Sequence, residues 1–272
     1  MRQDSAKTVG FVAILDLVFV AFLIVSGLFT GVLSTIFYIF AFVAPVFLGF
    51  YATRENNKAK DFLEVKGVLQ SLPVIAPTIG LVMIISALTS YVIGAVTDKS
   101  NVVELGDNLA LALLTHAVMP AMLEEALFRY IPLRAFKEER WLPAIIYSAL
   151  FFSLIHHSFF SMPYAFIAGA IFMLIDLAFD SVWPSVIIHF LNNALSVLFI
   201  FYNGDATFAA VAILALVLLS IVSIIYIAAR LEKYKKLTEK ITDVSKLGKN
   251  VPTEVYVLAI PMLLIAVMEL IQ

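Results

Sequence analysis

Residues 123–129, Leu123-Glu124-Glu125-Ala126-Leu127-Phe128-Arg129, place two adjacent acids and an arginine inside an otherwise apolar run. That run begins with LALALLTHAVMPAML over 109–123 and continues through Tyr130, Ile131 and Leu133. Apolar sequence of this length predicts a helix crossing a bilayer, where a charged side chain costs at least ~2.5 kcal/mol. Charges kept at that depth point to a function. On a helix Glu125 and Arg129 share a face four residues apart, so the spacing predicts an ion pair. Glu124 points about 100° away from that face. One carboxylate is thereby neutralised in place, while its neighbour is turned toward another helix.

Outward from this stretch the rest of the chain is equally apolar. Of 272 residues, 62% are hydrophobic and 14% charged, and the mean hydropathy is +1.00. The expected fold is all-α, a polytopic transmembrane bundle forming a single integral membrane domain over 1–272, with its motif-bearing core at 108–203. Candidate spans lie near 9–29, 32–52, 68–96, 108–132, 142–160, 162–180, 184–202, 206–229 and 253–271. The first two nearly touch, with Gly27, Thr30 and Gly31 available for a tight turn, so the count is eight or nine. The first run lacks an A-x-A cleavage site and reads as a retained span. A net charge of −2 gives no sign of a nucleic-acid partner, and the absence of cysteine excludes disulfides, thiolate ligands and a cysteine nucleophile.

Basic residues set the orientation. With the N-terminus cytoplasmic, the loops at 53–66, 134–141 and 230–252 fall inside, and sixteen of the eighteen Lys and Arg residues lie on that side. Lys99 lies outside and Arg129 within a span. The long basic loop at 230–252 reads as a solvated cytoplasmic segment.

Further polar side chains interrupt later spans. Ser148, Phe152 and His156 follow one another at four-residue intervals, with His157 adjacent. By helical rise Glu124 lies ~18 Å from Phe136 and His156 ~24 Å from Arg140, so the two fall at similar depth on consecutive antiparallel helices. His189 and Asn193, also four apart, present two hydrogen-bonding groups on one face, an arrangement suited to a developing oxyanion. Each has a plainer reading as helix–helix hydrogen bonding. Asn192 reads as such glue, and Asp16, Asp176 and Asp180 as packing residues. His116 lies two turns before Glu124, with Pro120 between them loosening the backbone.

The ordered set EExxxR (Glu124, Glu125, Arg129), FxxxH (Phe152, His156) and HxxxN (His189, Asn193) resembles the CAAX-protease and bacteriocin-processing (CPBP) family of intramembrane endopeptidases. The eukaryotic relative of that family is the Ras-converting CAAX endopeptidase. The motifs occupy 124–193, about a quarter of the chain. The resemblance implies that Glu124 and His156 activate a water molecule, that His189 and Asn193 stabilise the oxyanion, and that Glu125 and Arg129 support the site. His157 is an alternative to His156. It further implies a membrane-bound peptide or prenylated protein as substrate, cut after the lipidated cysteine from the cytoplasmic side. The bilayer is then the other partner, and the plasma membrane of a prokaryote the expected location. No cofactor is favoured. The alternative is a zinc metalloprotease holding its metal with Glu124, His156 and His189.

Other protease classes lack their signatures: no HExxH, no Gly-x-Ser and no Gly-x-Gly-Asp occurs. Two different functions compete. A transporter would use the intramembrane charges as an ion or proton relay, but no inverted repeat is evident. A non-catalytic peptide-binding or immunity protein would not require the full motif set.

Overall fold

In the computed structural model, which describes residues 2–53, 62–97, 105–136, 141–156, 158, 160–202 and 205–242, the apolar runs form helices and no strand occurs among these residues. The helices are α1 (Arg2–Gly27), α2 (Gly31–Ala52), α3 (Val68–Thr97), α4 (109–136), α5 (Trp141–Leu154), α6 (Met162–Phe179), α7 (Trp183–Phe201), α8 (Ala206–Ala229) and α9 (Leu231–Thr242). His157, the Asp16 side chain and the span expected at 253–271 lie outside the described residues. Among the described residues, five helical stretches are long and apolar enough to cross a membrane: Val68–Val96, Leu109–Arg134, Met162–Phe179, Trp183–Phe201 and Ala206–Ala229. Shorter apolar stretches occur at Leu17–Gly27, Ile36–Ala52 and Leu142–Leu154. The protein is an all-α, multi-helix membrane protein.

The described helices gather into two compact units, each discontinuous in sequence. The first draws on Met1–Glu64 and Leu123–Met173. Its α1 and α2 form a hairpin through the expected turn, where Gly31 adopts φ +67°, a conformation open to glycine but strained for other residues. Phe19 anchors the hairpin edge-on to Phe42 at 4.6 Å and reaches Phe128 of α4 at 5.9 Å. Within this unit α5 and α6 approach closely at Gly169, where an added Cβ would stand 3.0 Å from the Ala149 Cα. Backbone cannot yield as a side chain does. Gly169→Val should therefore destabilise the protein by about 1–3 kcal/mol, read as a lowered thermal midpoint in detergent, and an unchanged midpoint would refute the tight packing.

The second unit draws on Val65–Met122 and Leu174–Asp243. Here α8 packs on α3, and α7 packs on both α3 and residues 114–118 of α4. The α6–α7 turn is held by short polar contacts. Asp180 takes the left-handed conformation at φ +53°, and Ser185 Oγ lies 2.9 Å from Asp176 Oδ2 and 2.8 Å from the Val182 carbonyl. Asp176 and Ser185 are both buried, so Asp176 carries the packing role that its sequence context suggests. Pro184 sits in the first turn of α7, where its missing N–H is harmless. The segment after α8, read from sequence as a solvated loop, is helical through Thr242. The Tyr234 hydroxyl donates to the Gln70 carbonyl at 3.4 Å.

The structure departs from the expected helix at 142–160. Helix α5 ends at Leu154 after 14 residues, a rise of only ~21 Å. Serines redirect the backbone beyond it. Ser153 Oγ donates to the Met162 carbonyl at 2.7 Å, and Ser158 Oγ accepts from the Phe160 N–H at 3.3 Å. The Ser158 carbonyl accepts from the N–H groups of Ser161 and Met162 at 2.9 and 2.8 Å. Hydroxyl-to-backbone bonds of this kind compete directly with helix continuation. Irregular backbone at membrane depth needs protein or a cavity around it, and Ile155 and Ser161 on either side are buried.

Candidate active site

The first unit holds the EExxxR and FxxxH residues. Glu125 and Arg129 form the expected pair, Arg129 Nη1 to Glu125 Oε1 at 3.0 Å, with both side chains 0% exposed. Their segment is a π-helical turn, Ala126–Tyr130, in which the Ile131 N–H reaches back to the Ala126 carbonyl. A second π turn, Leu114–Val118, precedes it on the same helix. Such turns are energetically poorer than α-helix and recur at functional sites. Neither was read from the sequence, although Pro120, which cannot donate a backbone N–H, marked the helix as irregular.

Phe152 connects the two motifs. The Arg129 guanidinium lies over its ring, 3.8 Å from the centroid, with Phe172 at 5.4 Å. The same ring meets the His156 imidazole edge-on at 4.9 Å. The motif phenylalanine thus covers the buried cation and braces the histidine. Beyond the helix end, His156 Nδ1 lies 2.7 Å from the Phe152 carbonyl. A carbonyl only accepts, so Nδ1 carries the proton in this contact, and the lone pair of the neutral ring then lies on Nε2.

Glu124 is half-buried beside the fully buried Glu125. The hydroxyls of Tyr38 on α2 and Tyr164 on α6 lie within its electrostatic reach. Tyr164 also faces the His156 ring, centroid to centroid 6.3 Å. Sequence reasoning missed both tyrosines, because an aromatic residue within an apolar span carries no signal apart from packing.

The second unit holds the HxxxN residues. His189 is buried on α7, and Asn193, one turn on, is half-buried. Asn193 Nδ2 donates to the His116 carbonyl at 3.1 Å, and its Oδ1 accepts from Asn192 Nδ2 at 3.3 Å. His116 thus meets Asn193 through its backbone oxygen. No group of three or more His, Cys, Asp or Glu side chains placed to hold a metal occurs among the described residues. The zinc alternative gains no support from the described residues.

A family model described as Rce1-like, type II CAAX prenyl endopeptidase, matches residues 106–195. All three motifs fall inside that segment, and the similarity to the Rce1-like family agrees with the resemblance that they carry. No curated protein and no solved structure matches the chain. The class supported by the match is a CAAX-type intramembrane protease in general.

Proposed function

We propose that the protein is an endopeptidase that hydrolyses a peptide bond of a membrane-associated, prenylated substrate, with Glu124 and His156 activating water. One observation carries this reading. The Glu125–Arg129 pair is fully buried, while Glu124, the adjacent carboxylate, is half-exposed. Glu124 takes a proton from water, with the His156 Nε2 lone pair as the second acceptor. The hydroxide oxygen then bonds to the scissile carbonyl carbon, and the C=O π electrons move onto oxygen. Hydrogen bonds from His189 and Asn193 stabilise that oxyanion. Collapse of the intermediate breaks the C–N bond, and the proton taken from water goes to the leaving amine.

Apolar helices around the site suit a substrate whose cleavage point is held at the membrane by a lipid chain. The basic loops imply access from the cytoplasmic side, with the N-terminus cytoplasmic. Purified protein given a farnesylated CAAX peptide should release a C-terminal tripeptide, identified by mass spectrometry. Asn193→Ala should lower kcat by about 10²–10³-fold with KM little changed, the usual effect of losing one oxyanion donor. Wild-type kcat in that variant would remove Asn193 from the mechanism.

A further inference from the structure

We infer that Pro120 is a positioning residue for Asn193. Within an α-helix the N–H of residue 120 would bond to the carbonyl of residue 116, four positions earlier. Proline has no N–H to offer, so the His116 carbonyl receives no such donor from position 120. Asn193 Nδ2 bonds to that carbonyl at 3.1 Å, across 77 positions of sequence. The π turn at Leu114–Val118 is separated from the proline by one residue, and α7 packs against this turn. Both ends of the Asn193 amide are then engaged. Oδ1 accepts from Asn192 at 3.3 Å, and one Nδ2 hydrogen points to His116. The orientation of the amide is fixed, and the second Nδ2 hydrogen remains for the substrate oxyanion. The proline acts at a distance, by keeping a backbone acceptor available on one helix for a side chain of another.

This inference rests on the reading of Asn193 as an oxyanion donor, and the test separates the two. Full-length Pro120→Ala, Asn193→Ala and the double variant are assayed with a farnesylated CAAX peptide, and the thermal midpoint of each is recorded. Alanine restores the N–H, which competes for the His116 carbonyl and lets the amide rotate. In Pro120→Ala, kcat should fall by about 10–100-fold, the scale of a small misplacement of a catalytic group, with KM unchanged. Its thermal midpoint should not fall, because alanine favours a helix interior far more than proline. In the double variant the loss should be no greater than in Asn193→Ala alone, because both changes act on one donor. Wild-type kcat in Pro120→Ala, or an equal further loss in the Asn193→Ala background, would overturn the inference alone. Wild-type kcat in Asn193→Ala would overturn the reading beneath it, and the inference with it.

Discussion

Glu124→Ala is expected to lower kcat by about 10²–10⁴-fold, the range for removing a general base, while the protein stays folded. The reason lies in the division between the two acids. Glu125 is held by Arg129 at 3.0 Å with neither side chain exposed, so it cannot turn to take over from its neighbour. Glu124 lies outside that pair and is half-buried. Its removal leaves the buried Glu125–Arg129 pair intact, and the thermal midpoint should move by the equivalent of no more than about 0.5 kcal/mol. Glu124→Gln keeps the shape without the base and should be as inactive. Steady-state kinetics alongside thermal denaturation check both halves. Normal cleavage by either variant would take the base away from Glu124.

Arg129→Ala should act in the opposite way, on the fold. It leaves the Glu125 carboxylate buried without its cation, a change that typically costs 3–5 kcal/mol. It also removes the guanidinium lying over Phe152 and near Phe172, and so a cation–π contribution. The variant is expected to lose its cooperative thermal transition or to aggregate in size-exclusion chromatography. Combining it with Glu125→Ala should recover part of the loss, since the stranded charge is then gone. Full stability in Arg129→Ala would show that the pair is dispensable to the fold.

These two outcomes follow from features that differ in how openly the sequence carries them. The Glu125–Arg129 pair is a local consequence of four-residue spacing on one helix, so it follows from the residues alone. The all-helical membrane architecture follows from the length of the apolar runs, and Gly31 closes the first hairpin where the sequence offered it. The end of α5 at Leu154 does not follow so simply. It depends on the Ser153 and Ser158 hydroxyls bonding to backbone groups, and scattered serines in an apolar run give no periodic signal. His156 consequently stands in a turn, held by the Phe152 carbonyl, and not on a helix face. The contact between Asn193 and His116 is harder still, because it joins two helices through a backbone oxygen that no motif records. Tyr38 and Tyr164 come near Glu124 only through tertiary packing, and nothing in their neighbours distinguishes them from other aromatic residues of the spans.

The most direct measurement is the cleavage of a fluorogenic farnesylated CAAX peptide by purified protein in detergent, run with and without a strong chelator and beside Glu124→Ala. The account predicts cleavage that survives chelation and vanishes in the variant. Cleavage lost on chelation and restored by zinc would contradict the roles given to Glu124 and His156. Cleavage undiminished in folded Glu124→Ala would contradict the site itself.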